Sequence, residues 1–248
     1  MSSPQASLLN EGFNNVALVT ARIEMFTAAT RGGTATGFFF ANADESRLFL
    51  ITNRHVVKDE AALFFPDKLR LRLHVDRKDL KLSESFEIDL YPSGNPAWRE
   101  ISSDTDVVAI ELDASDVRRR FYFASLNPTN FIPPDVVLGV GDPLLIVGYP
   151  EGFYDEKFNL PIVRQGSVAS VFPVPFNDNP FFLADAILHP GTSGSPVVTQ
   201  PARAYMGFGG VLQDGLYRSY LVGINSGSYD SLHLNAVWFN NMIEQLIK

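Results

Sequence analysis

Alternation with a period of two dominates the chain. From Lys68 to Val75 every second residue is apolar (Leu69, Leu71, Leu73, Val75), the pattern of a strand with one face buried. Further β-rich runs cover 16–26, 37–41, 48–52, 86–91, 107–112, 143–148, 167–172, 181–187, 196–198 and 220–224, with Gly, Pro, Asn or Asp in most of the gaps. So many short strands, with no helical pattern between them, predict an all-β sandwich or barrel and not a parallel sheet. One helix is predicted at the C-terminus: Phe239, Met242, Ile243 and Leu246 follow i, i+3, i+4, i+7 spacing, with Asn235 as N-cap. The segment 126–135 holds three prolines and reads as a linker. The expected organisation is a tail over 1–14, a β lobe over 15–125, the linker 126–135, a second β lobe over 136–233 and the helix within 234–248.

Composition narrows the function. The 248 residues carry 20 Lys and Arg against 28 Asp and Glu, a net charge of −8, so no broad electrostatic grip on nucleic acid or on an acidic membrane is expected. Arg118–Arg120 and the mixed charges over 67–81 read as solvated faces. The 20 Phe, 8 Tyr and 2 Trp supply ample material for a core. Cysteine is absent, which removes disulfides, a thiolate nucleophile and Cys-ligated metals. No two histidines share a metal-ligand spacing, so neither metal nor cofactor is expected. No run of about 18 apolar residues suggests a membrane span, and the first residues lack a basic and an apolar leader region, so a cytoplasmic location is expected.

The candidate chemistry lies at Pro190-Gly191-Thr192-Ser193-Gly194-Ser195-Pro196. Small residues flanking Ser193 let the amides of Gly191 and Ser193 converge on one point, a donor pair for a developing oxyanion beside a hydroxyl nucleophile. Such a hydroxyl needs a base. Of the four histidines, His74 falls on the polar side of its alternating strand and reads as solvated. His189 suits a pocket wall, and His233 a loop or strand edge. His55 ends the very apolar run 48–52 and is the candidate base. Asp106, at the mouth of Val107–Leu112, is the candidate carboxylate to orient it, because a partly buried Asp needs a partner. Asp104 reads instead as a local strand-start residue.

The order His55…Asp106…Ser193, within T-N-R-H-V-V, D-V-V-A-I and G-T-S-G-S-P, resembles the chymotrypsin-like (trypsin-fold) serine proteases, in particular the cysteine-free bacterial branch related to HtrA-type proteases. Thr34–Phe38, Val140–Asp142 with Val147–Pro150, and Leu221–Gly227 extend the resemblance over roughly residues 15–247. It implies two packed six-stranded antiparallel β-barrels with a C-terminal helix, and a serine endopeptidase working through an acyl-enzyme on protein or peptide substrates. It further implies His55 as base and acid, Asp106 as orienter and Ser193 as nucleophile, with an oxyanion hole from Gly191 and Ser193. Ile187, Leu188, His189 and Pro190 would wall the primary specificity pocket, Ile187 favouring a small or medium apolar side chain. Asn225, Ser226, Gly227 and Ser228 would offer an edge for the substrate backbone.

The chain also departs from the family. Thr192 stands where digestive members carry the Asp that pairs with a newly cut N-terminus, so activation by such cleavage is not expected. That absence suggests restraint by narrow specificity or by a regulatory partner protein. The competing reading is a catalytically silent protein of the same fold that serves as an interaction module. An α/β-hydrolase elbow, with Asp230 and His233 downstream, fails because Pro196-Val197-Val198 continues as strand.

Overall fold

Two β lobes share one apolar interface, and the alternation of side chains along their strands explains why. The structure, a computed structural model, describes residues 15–206 and 212–248; the expected tail over 1–14 lies outside them. The first lobe runs through α1 (Asn15–Val19), β1 (Thr20–Thr27), β2 (Thr30–Ala41), β3 (Leu48–Thr52), the single turn α2 (Arg54–Val57), β4 (Lys68–His74), β5 (Ser83–Asp89), β6 (Trp98–Glu100), β7 (Val108–Leu112) and α3 (Ala114–Arg120). Its strands pair in the order β5-β4-β1-β2-β3-β7-β6 as an open seven-stranded sheet, where a closed six-stranded barrel was expected. The second lobe comprises β8 (Pro143–Gly148), β9 (Ile162–Val168), β10 (Phe181–Asp185), β11 (Pro196–Thr199), β14 (Leu221–Tyr229) and β15 (Leu234–Phe239). These six close into the expected barrel, β10-β15-β14-β11-β8-β9, while β12 (Ala202–Met206) and β13 (Leu212–Arg218) form a separate hairpin.

Phe38 and Phe40 of β2, with Phe49 and Ile51 of β3, point into a cluster that also contains Val147, Val198, Leu221, Ile224 and Trp238 of the barrel. The intervening Phe39, Leu48 and Leu50 point into the core of the first sheet. The uninterrupted apolar runs in β2 and β3 are therefore strands buried on both faces. The barrel's own interior holds Leu144, Ile146, Phe182, Val197, Val222 and Val237.

The C-terminal helix α4 spans Asn241–Leu246. Asn235 is not its N-cap: that residue lies within β15, buried, and its side-chain amide donates to Ala186 O at 2.7 Å. Met242, Ile243 and Leu246 of the predicted stripe lie in this helix, whereas Phe239 does not, because Leu234–Phe239 pairs with β10 and β14. Ile243, Leu246 and Ile247 nevertheless enter the interface cluster. Arg47 donates to Ile247 O at 2.8 Å and Arg99 to Lys248 O at 2.8 Å, so first-lobe guanidinium groups hold the end of the chain. Val16–Val19, expected as strand, forms the helical turn α1 with Val16 and Val19 buried in the same cluster. His74, expected in solvent, is buried, its Nδ1 donating to Leu80 O at 3.0 Å. The loop after β4 folds back over that face, and burial lowers the pKa of the imidazole.

Candidate active site

β3 ends at Thr52, whose hydroxyl donates to Thr36 O at 2.8 Å. Asn53 then donates from its amide to Asp106 O at 2.7 Å, which ties the segment before His55 to the segment before β7. Val56 and Val57 are fully buried and anchor the α2 turn, so His55 sits on a fixed helical turn just beyond the strand end. Asp106 receives three donors: His55 N at 3.0 Å on Oδ1, and both His55 Nδ1 at 2.8 Å and the Ser226 hydroxyl on Oδ2. Asp104, the alternative carboxylate, bonds only locally, accepting from Ser103 Oγ at 3.5 Å.

The environment sets both ionisations. Burial pushes the His55 imidazole down, but the hydrogen bond and charge of Asp106, with the charge of Asp59, outweigh it and raise its pKa above the ordinary value. Burial acts on Asp106 in the opposite sense, towards the neutral acid. The hydrogen bond and charge of His55, then Ser226 and the His55 amide, overcome it and keep the carboxyl below its usual range. The pair is thus an ionised carboxylate that fixes the Nδ1–H tautomer and leaves Nε2 free to accept a proton.

Ser193 faces the same cleft of about 500 Å3 that His55 lines. No hydrogen bond between them occurs among the described residues, as is common before substrate arrives. Its turn, between β10 and β11, requires two glycines. Gly191 has φ +97° and Gly194 φ +82°, and a Cβ at residue 194 would collide with Thr36 O. Five successive carbonyls of this turn are held by donors. His189 O accepts from the Thr192 hydroxyl at 2.8 Å, and Pro190 O from Glu151 N. Gly191 O accepts from the Thr36 hydroxyl at 2.7 Å. Thr192 O accepts from Ser195 N at 3.1 Å and from the Asn225 amide at 3.0 Å, and Ser193 O from Thr36 N at 2.9 Å. The C=O and N–H of a trans peptide point opposite ways. With Pro190 O bound to Glu151 N and Thr192 O to Ser195 N and the Asn225 amide, the N–H groups of Gly191 and Ser193 point away from those donors. Neither amide donates to an acceptor among the described residues.

The cleft is lined by Ile187, Leu188, His189 and Pro190 and by Ser226, Gly227 and Ser228. β14 slips register against β15 between Asn225 and Ser228, which takes Ser226 and Gly227 out of regular pairing on the cleft side. Asn225, expected beside them as a substrate contact, is instead buried. Its N–H donates to Ser195 O at 2.9 Å and its C=O accepts from Gly194 N at 2.9 Å, so its main chain is consumed inside the protein. His233 and Asn235 also line the cleft, so three of the four histidines do.

A model of the trypsin-like peptidase domain matches residues 35–204, well over half of the chain. The chain belongs to the trypsin-like peptidase family. Among solved structures this trypsin-like peptidase is similar to a serine endoprotease from Yersinia pestis, with a TM-score of 0.55, 18% identity, and coverage of 100% of this chain and 67% of that one. It is also similar to Rv3671c from M. tuberculosis. A serine-to-alanine mutant of that protein in its inactive form gives a TM-score of 0.50 at 14% identity, covering 100% of this chain and 93% of that one. The Rv3671c protease in its inactive form gives 0.51 at 14% identity, covering 99% and 95%. At these identities the likeness is one of fold. No curated protein matches the chain.

Three roles in this peptidase escape a reading of its sequence. The Ser226 hydroxyl bonds Asp106 from 120 positions further along the chain, which no local pattern signals. Asn225 and Asn235 are single polar residues inside apolar strands, and that mismatch is the one signal available for either.

Proposed function

We propose that this trypsin-like peptidase is a serine endopeptidase in which Ser193 attacks the scissile carbonyl, His55 takes its proton and later returns it to the leaving amine, and Asp106 orients the imidazole. The acyl-enzyme on Ser193 is then hydrolysed by water with His55 again as base. The single observation carrying this reading is the His55–Asp106 pair at 2.8 Å, sharing one cleft with Ser193 and its two unclaimed amides. A silent interaction module has no use for a tautomer-fixing carboxylate beside a free oxyanion site. Ser226–Ser228 would pair with the substrate backbone. The side chain before the scissile bond would enter between Ile187–Pro190 and His233–Asn235. That wall carries no carboxylate among its described residues, which supports a preference for small or medium apolar residues over Lys and Arg. A regulatory partner would act on access to the cleft, a reading supported by the bonds that hold Pro190 O and Thr192 O away from an oxyanion.

The test is covalent. A fluorophosphonate probe should label the folded protein at Ser193, Ser193→Ala should abolish labelling, and peptide-library cleavage should select apolar over basic residues before the scissile bond. A well-folded wild type that takes up no probe would overturn the reading.

A further inference from the structure

Resting on that reading, one question is what holds the oxyanion turn ready when Thr192 replaces the buried charge that digestive relatives use. Two buried neutral side chains stand at the centre of the turn's bonding. Thr36, on β2 of the first lobe, is fully buried. Its hydroxyl donates to Gly191 O at 2.7 Å and accepts from Tyr149 N at 3.1 Å, while its own N–H donates to Ser193 O at 2.9 Å. It therefore holds the turn and also the 149–151 segment whose Glu151 N–H takes Pro190 O. Asn225, on β14, donates its amide to Thr192 O at 3.0 Å, which aims the adjoining Ser193 N–H. The carboxamide oxygen of Asn225 is buried without a partner. Leaving such an atom unpaired is costly, and an apolar residue of the same size would avoid the cost. What Asn225 offers in exchange is its N–H end.

We propose that Thr36 and Asn225 are positioning residues that preset the oxyanion hole in the free chain, so that docking of the two lobes does what a newly cut N-terminus does in digestive relatives. The Thr36 hydroxyl satisfies one donor and one acceptor at once, a role Ser can also fill and Val cannot.

The experiment measures kcat and KM on one fluorogenic peptide taken from a mapped cleavage site in casein, together with the fluorophosphonate labelling rate and Tm. Loss of a hole donor lowers kcat by about 100- to 1,000-fold. Partial misaiming should then cost Thr36→Val and Asn225→Leu about 10- to 100-fold in kcat and in labelling rate, with KM within about twofold. Thr36→Ser should stay near the wild type, and Asn225→Leu should melt at or above the wild-type temperature. Stability kept while kcat falls is an outcome that a purely structural asparagine would not give. Wild-type kcat in Thr36→Val and Asn225→Leu, or equal impairment of Thr36→Val and Thr36→Ser, would overturn the proposal. If Thr36→Val fails to fold, Thr36→Ser against Thr36→Ala decides the same point. An unlabelled wild type defeats the protease reading itself, whereas normal labelling with unaffected variants defeats this inference alone.

Discussion

Replacing Asp106 by Asn tests the geometry most directly, because the two side chains share a shape and differ in what they can accept. Oδ1 takes the His55 backbone N–H at 3.0 Å, whereas Oδ2 takes His55 Nδ1 and the Ser226 hydroxyl. An amide has one oxygen. The backbone donor, fixed by the α2 turn, claims it, so the NH2 group faces Nδ1. The imidazole must then present a lone pair at Nδ1 and carry its proton on Nε2, where it can no longer accept from Ser193. The Ser226 hydroxyl can rotate to accept instead of donating, so the packing survives. The expected loss is about 10,000-fold in kcat, or about 5 kcal/mol of transition-state stabilisation. Casein hydrolysis and fluorophosphonate labelling would measure it, with thermal melting to show that the variant is folded. Turnover within about tenfold of the wild type would refute the tautomer argument and return Asp104 to consideration.

Other consequences concern pH and the turn. The sequence alone suggests that activity falls between about pH 7 and 6, but the raised pKa of His55 shifts that limb upward. Only the neutral imidazole is a base, so kcat/KM should fall as pH drops through a midpoint above the ordinary imidazole value, and Asp59→Asn should move that midpoint down. A midpoint below about 6 would contradict the assignment. Thr192 is buried, its hydroxyl donating to His189 O at 2.8 Å. Thr192→Asp would set a carboxylate against that carbonyl at a cost of about 3 kcal/mol, lowering Tm by roughly 6–12 °C; an unchanged melting curve would refute this account of the turn.

Much of this was legible before any coordinates, for reasons that differ by element. Alternation over Lys68–Val75 placed β4, which ends one residue earlier at His74, and the apolar runs 48–52 and 143–148 coincide with β3 and β8. His55 and Asp106 stood out as polar residues at the ends of very apolar strands, and Ser193 as a hydroxyl set among small residues in a tight turn. Where the sequence misled, packing by another segment, near or distant, often decided the outcome. The loop after β4 covers His74 and reverses its solvation, and β10 recruits Leu234–Phe239 as a strand where spacing suggested helix. α3 was missed although Asp113 caps it, accepting from Asp116 N at 3.0 Å, because its single buried residue, Val117, leaves no periodic stripe. The resemblance groups Asn225 with Ser226–Ser228 as a substrate edge, and only its bonds to Gly194 and Ser195, with the bulge after it, show that it is held inside.

The grip on residues 243–248 has a mechanical meaning. Ile243, Leu246 and Ile247 fill the seam between lobes, and Arg47 and Arg99 bind the carbonyls of Ile247 and Lys248. One lobe carries the imidazole and its carboxylate and the other the serine, so this wedge braces the two halves of the cleft against each other. Loosening it would misalign the cleft without touching any group that lines it.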